Sequence, residues 1–210
     1  MEKSCYIFDV DGTLYSQKKM HLYMAVKLLG YYSTHIWKWK ELYALYMFRK
    51  MREQEKYRIL SVKELSECVG RKIKADSDTV ESTIKKWMFQ IPLELLPRCA
   101  YQDVLAEIHR LRKSGCKIYI YSDYPAKEKV DILQLHAEDI FTAEDDDIHE
   151  LKPSRKAMQV ILKKVGVNPS QIQFIGDRDE KDGESAKLLS MDYCNVKEWR
   201  KRIKRKADYE

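Results

Sequence analysis

Asp9 and Asp11, in the run Asp9-Val10-Asp11-Gly12-Thr13-Leu14, are the residues best placed for chemistry in this sequence. They close a short apolar, aromatic stretch from Cys5 to Val10, which stops at an Asp-Gly pair as a buried strand stops at a turn. In a strand, side chains two apart point to the same face. Two carboxylates so close repel, so either one keeps a proton or a cation sits between them. Gly12 lets the backbone turn away, and Thr13 adds a hydroxyl. An Asp-Gly pair alone is an ordinary turn; the strand, the second Asp and the Thr together favour a site.

A second stretch ends in the same way. Ile172 to Ile175 runs into Gly176-Asp177, followed by Arg178, Asp179, Glu180, Lys181 and Asp182. Mg²⁺ favours one or two carboxylates plus waters and substrate phosphate, which makes Asp177 a candidate ligand. Asp179 and Glu180 read as the acidic start of a helix. Ser122, in Tyr121-Ser122-Asp123-Tyr124-Pro125, is expected to begin a helix after another apolar run. A hydroxyl there, beside free N–H groups, suits a phosphate oxygen. Lys152, in Leu151-Lys152-Pro153, offers an ammonium that would hold both carboxylates and a phosphate dianion. Taken singly, Ser122 is an ordinary helix cap and Lys152 an ordinary surface lysine.

The elements that must bring these residues together are legible as alternating patterns. Short apolar runs lie at Cys5–Val10, Lys117–Tyr121, Ile140–Ala143, Ile172–Ile175 and Met191–Val196. Between them, Val104, Ile108 and Leu111, and later Ala157, Val160, Ile161 and Val165 before Gly166, repeat at helical spacing. Strands alternating with helices predict an α/β protein: a Rossmann-like parallel sheet in a three-layer α/β/α core, with sites beyond the carboxyl ends of the strands. Residues 17–96 break the alternation. They contain no convincing strand, and no glycine falls between Gly30 and Gly70. A core of residues 1–16 and 97–210 carrying an inserted all-helical domain is therefore expected.

In order and spacing the four acidic, hydroxyl and lysine elements make the chain resemble the haloacid-dehalogenase-like (HAD) hydrolase superfamily. The resemblance covers Cys5 to Gln17 and Pro97 to Val196. It implies Asp9 as nucleophile, Asp11 as general acid/base, and Ser122 with Thr13 and Asp123 as the substrate phosphate site. It gives Lys152 the task of steadying charge on nucleophile and phosphate. Mg²⁺ would be held by Asp9, Asp177 and the main-chain carbonyl of Asp11, with Gly12 and Asp182 in support. Members that cleave carbon–halogen bonds lack the second Asp, so Asp11 points to phosphoryl transfer. The implied activity is hydrolysis of a small phosphate monoester through an aspartyl-phosphate; the alternatives are a sugar phosphomutase and a lipid-phosphate phosphatase. The insert would be a cap that selects the leaving group.

Composition bounds the partners. The chain has 210 residues, 44% hydrophobic and 34% charged, which excludes disorder and low-complexity tracts. Its 5 cysteines are odd in number and never spaced C-x-x-C, against a disulfide framework or zinc ribbon. The first residues lack a signal-peptide profile, and a cytoplasmic protein, monomer or dimer, is expected. The net charge of +6 is uneven: residues 16–58 carry ten Lys/Arg against three acids, and residues 101–150 carry −6. An acidic core half argues against nucleic acid as partner. The basic segment is dense in aromatics, and three readings compete: buried aromatics under a solvated lysine face, a funnel for a phosphorylated metabolite, or contact with an anionic membrane surface. The basic tail from Lys197 to Glu210 is expected to fray or to cap the core.

Overall fold

A computed structural model describes residues 3–207. In chain order the elements are β1 (Cys5–Phe8), α1 (Gln17–Thr34), α2 (Trp39–Arg52), α3 (Val62–Ile73), α4 (Ser77–Ile84) and α5 (Ile91–Cys99). There follow α6 (Gln102–Lys113), β2 (Lys117–Ser122), α7 (Lys127–Ile132), β3 (Asp139–Thr142) and α8 (Arg155–Val165). The chain continues with β4 (Ile172–Gly176), α9 (Glu184–Lys187), β5 (Asp192–Asn195) and α10 (Val196–Ala207). It divides into two compact units, one formed by the chain up to Gln17 and from Arg98 onward, the other by Lys18–Pro97.

All five strands pair in parallel, in the order β3-β2-β1-β4-β5. β1 is central, and Phe8 stands opposite both Ile120 and Ile175. The order reverses there, so the carboxyl ends of β1, β2 and β4 open one crevice at the switch point of the sheet. Alternation along the strands sorts their side chains between two faces. Cys5, Ile7, Tyr119, Tyr121, Ile172 and Phe174 bury one face against Ala157, Met158, Ile161 and Val165 of α8. On the other, Phe8 meets Trp199 of α10 at 5.3 Å between ring centroids, and α6 buries Val104, Ile108 and Leu111. Each such aliphatic or aromatic side chain contributes about 1.5–3 kcal/mol by leaving water.

Local signals set the helix that carries this face. Ser154 accepts the N–H of Ala157 as the N-cap of α8, and Gly166 ends it in the left-handed conformation. Residues 197–207 of the basic tail cap the core: α10 runs to Ala207, with Trp199 buried and Arg200 donating to Asp103 at 2.8 Å. Residues 208–210 of that tail lie outside the described residues.

The unit Lys18–Pro97 is helical and has its own core, with Phe48, Met51, Leu65, Val69 and Ile84 buried. Ser61 and Glu64 form a capping box at the start of α3. The aromatics of this unit do not all turn inward. Tyr32, Phe48 and Trp87 are buried, whereas Trp37, Trp39, Tyr43 and Tyr46 are exposed, so the reading of the whole aromatic set as core is corrected. The reason is the helical period: Ala44, Leu45, Met47, Phe48 and Met51 already fill the inner face of α2, and the remaining aromatics fall on its outer face. Among the described residues no helix is long and apolar enough to cross a membrane.

Candidate active site

The crevice at the end of β1 holds a cluster of three carboxylates and one ammonium, with Asp9, Asp182 and Lys152 buried and Asp177 half-buried. Asp9 continues the ladder beyond β1, its N–H bonded to the Ile175 carbonyl at 2.9 Å. The turn at Gly12 folds the chain back so that Thr13 and Tyr15 each reach the carboxylate four residues earlier. Thr13 Oγ1 donates to Asp9 Oδ2 at 2.9 Å, and the Tyr15 hydroxyl donates to Asp11 Oδ1. Lys152 Nζ lies 2.5 Å from Asp9 Oδ1, 2.7 Å from Asp182 Oδ1 and 3.3 Å from the Tyr121 carbonyl oxygen. Asp9, Asp177 and Asp182 each offer an oxygen within 4.8 Å of the others.

The two strand-end glycines make this approach possible. Gly12 has φ +98°, and a Cβ there would sit 2.2 Å from Asp177 Oδ2. A Cβ on Gly176 would sit 2.4 Å from the Asp182 side chain. Gly12→Ala therefore forces a left-handed conformation, at about 1–2 kcal/mol, and pushes Asp177 aside. We expect its divalent-metal affinity to fall about 10–100-fold, read by metal titration of the purified variant, with a lowered melting temperature.

Burial sets the electrostatics. It pushes the Asp9 carboxyl up to about 8; Lys152 pulls the other way, and Asp182 and Asp11 add to the rise. Asp177 is pushed up to about 6, chiefly by burial and then by Asp182. Burial also works against the Lys152 ammonium, but the Asp9, Asp182 and Asp123 carboxylates outweigh it and hold Lys152 well above the ordinary lysine range. Burial raises Asp11 as well, but Lys129, 2.5 Å away, and the Tyr15 hydroxyl outweigh it and hold that carboxyl below its ordinary value.

Every residue expected from the sequence lies in this region, with different duties for several. Ser122 is not the start of a helix: it is the buried last residue of β2, its hydroxyl accepts the Tyr124 N–H at 3.2 Å, and α7 begins only at Lys127. Thr13, expected to touch substrate, is fully buried and donates to Asp9. Asp123 likewise turns inward, accepting the Lys152 N–H at 2.8 Å and facing Lys181 Nζ at 3.5 Å. Asp182, expected in support, joins the carboxylate cluster itself. The Asp11 carbonyl expected to face a metal accepts Gln17 Nε2 at 2.9 Å, which leaves it one lone pair.

Tyr15, Gln17 and Lys129 were not singled out from the sequence. The four-residue step from Asp11 to Tyr15, matching that from Asp9 to Thr13, was a usable signal for the first. Lys129 had none, because it arrives from α7 across the crevice.

A parallel α/β sheet with a carboxylate–lysine centre at its switch point and a helical insert after β1 defines a hydrolase of the HAD type. Residues 3–189 match the family described as haloacid dehalogenase-like hydrolase, and the chain belongs to it. Among solved structures, the magnesium-bound YfnB of Bacillus subtilis shares 17% identity at a TM-score of 0.67, over 92% of this chain and 88% of that one. A 2-haloacid dehalogenase from Pseudomonas syringae shares 18% at 0.65, over 92% and 85%. A HAD phosphatase from Thermococcus onnurineus shares 17% at 0.52, over 92% and 85%. At these identities the likeness is one of fold. No curated protein matches the chain.

Proposed function

We propose that this hydrolase is a Mg²⁺-dependent phosphatase of small phosphate monoesters. The observation that carries the reading over carbon–halogen cleavage is Asp11, a second carboxylate beside Asp9 with its own cationic partner, Lys129. Cleaving a phosphate ester needs a proton for the leaving alkoxide; displacing a halide needs none.

The donor set fits a hard divalent cation. Asp9, Asp177 and Asp182 supply clustered oxygens, and the Asp11 carbonyl keeps a free lone pair. Bound there, Mg²⁺ supplies Lewis acidity that offsets the repulsion between a carboxylate and a phosphate. The chain's own groups do the rest. Thr13 and Lys152 fix the plane of the Asp9 carboxylate for attack. Lys152 balances the charge that the phosphoryl group brings. Asp11, ionised beside Lys129, is ready to take a proton from the water that hydrolyses the aspartyl-phosphate. For the earlier step, in which Asp11 protonates the leaving group, the Lys129 contact must give way to a proton.

The test is a screen of phosphorylated metabolites with Mg²⁺, with the Asp9→Asn protein as blank and 2-haloacids as a parallel arm. Phosphate release by the wild type alone supports the reading. Halide release without phosphate release overturns it.

The raised carboxyls also set a pH dependence. In the metal-free protein Asp9 and Asp177 bind protons more tightly folded than unfolded, with values of about 8 and 6 against 3.8. The stability these two groups contribute to the metal-free protein is full below 3.8 and is lost as pH rises from there through about 6 and towards 8, while depressed carboxyls such as Asp11 act in the opposite sense. Mg²⁺ displaces those protons, so it binds more tightly at higher pH and releases protons as it binds. We expect Mg²⁺ to raise the melting temperature more at pH 8.5 than at pH 5.5, with EDTA as reference.

A further inference from the structure

The outer face of the helical unit carries groups that the acidic centre does not use. On α1, Leu22, Val26 and Leu29 follow one another at steps of four and three, so they form a single stripe. On α2, Trp39, Tyr43 and Tyr46 repeat the pattern, and Ile36 and Trp37 stand at the turn between the two helices. All are open to solvent, from 44% in Tyr43 to 69% in Trp37 and 74% in Ile36. Tyr32 near the end of α1 donates to Glu41 near the start of α2 at 2.8 Å.

Cations are set among these stripes. Lys18, Lys40, Arg49 and Lys50 are exposed, and Lys50 Nζ lies 5.7 Å from the Tyr46 ring centre. Exposed apolar surface of this extent marks an interaction site. Its chemistry selects the partner. Protein interfaces are depleted in lysine, whereas this face mixes lysine with tryptophan and tyrosine. Amphipathic rings at headgroup depth and long lysine stems reaching anionic headgroups are what a bilayer surface accepts.

We infer that this face seats the protein on an anionic lipid bilayer, lying in its interface without crossing it. The segment 16–58, ten Lys/Arg against three acids, supplies the attraction, and the tryptophan and aliphatic stripes supply the buried area. This surface stands whether or not the acidic centre is a phosphatase.

The experiment uses the whole chain with vesicles of phosphatidylcholine and phosphatidylglycerol at a ratio of about 7:3 and vesicles of phosphatidylcholine alone, since anionic charge is the variable to be isolated. Co-sedimentation with the anionic vesicles, weakened by salt, is expected. A blue shift of tryptophan emission should accompany it, because Trp37 and Trp39 are exposed while Trp87 and Trp199 are already buried. Trp37→Ala with Trp39→Ala should remove the shift and weaken binding at least about tenfold. Replacing Lys18, Lys40 and Lys50 with Gln should weaken it by roughly fivefold for each charge. Both variants should keep the wild-type melting temperature, as these side chains lie outside the core. Equal binding to neutral vesicles, no binding to either, or self-association that depends on Trp37 and Trp39 without vesicle binding would each overturn the proposal.

Discussion

Asp9→Asn is expected to abolish the proposed Mg²⁺-dependent phosphate release, by at least about a thousandfold, and to leave the fold in place. The amide has the size of the carboxylate, so its oxygen can still accept from Thr13 or Lys152. It lacks the charge and the nucleophilicity that attack on phosphorus requires. Stability should hold or rise in the metal-free protein, because burial already disfavours the charged form of Asp9 and lifts it to about 8. Inactivity combined with an unchanged or higher melting temperature in EDTA separates a chemical role from a structural one. Phosphate release at the wild-type rate would remove Asp9 as nucleophile and with it the proposed reaction.

Lys152→Met is expected to lose much of the protein's stability. The lysine side chain is 2% exposed, and its two carboxylate partners, Asp9 and Asp182, are 8% and 2% exposed. Methionine keeps most of the apolar stem but leaves two carboxylates buried without their cation. Truncating one partner of a buried ion pair costs about 3–5 kcal/mol, or roughly 10 °C in melting temperature for a chain of this length. Part of that loss should return at low pH, where the carboxyls take up protons, and part with Mg²⁺, which replaces the missing charge. Melting curves at pH 5.5 and 8, each with EDTA and with Mg²⁺, resolve these contributions. A melting temperature unchanged at pH 8 in EDTA would show that the Lys152 cluster does not hold the crevice together. Activity should be lost as well, since Lys152 orients Asp9 and, in the proposed reaction, balances the phosphoryl charge.

These outcomes rest on residues whose importance was written locally and on others whose importance was not. Asp9, Asp11 and Asp177 were legible because each lies at the end of an apolar run that stops at a glycine turn, Gly12 for the first two and Gly176 for the third, and a strand that stops at such a turn presents its last side chains at the sheet edge. The two glycines were legible for the same reason, though what each avoids is set by the fold: for Gly12 it is Asp177, at the end of another strand, and for Gly176 it is Asp182, folded back from the turn after β4. Ser122 was placed in the right crevice but on the wrong element, because the five residues from Ser122 to Ala126 carry no helix-start signal as strong as the end of β2. Thr13 and Asp123 are polar and sit beside the site, which read as contact with substrate; their geometry turns them inward to position Asp9 and Lys152.

The alternating α/β order, the helical insert and the acidic strand ends are written in the chain, because apolar periodicity and glycine-bounded turns are local and act within a few residues. The tertiary structure alone decided which charges meet. Lys129 reaches Asp11 across 118 positions and Lys152 reaches Asp9 across 143, distances closed only by the order of the parallel strands. It also decided which aromatics of α2 face inward, since a helical repeat shows that a face exists but not which side the rest of the unit covers. Long-range pairing and the direction of burial are properties of the folded sheet and bundle, and no window of the chain contains them.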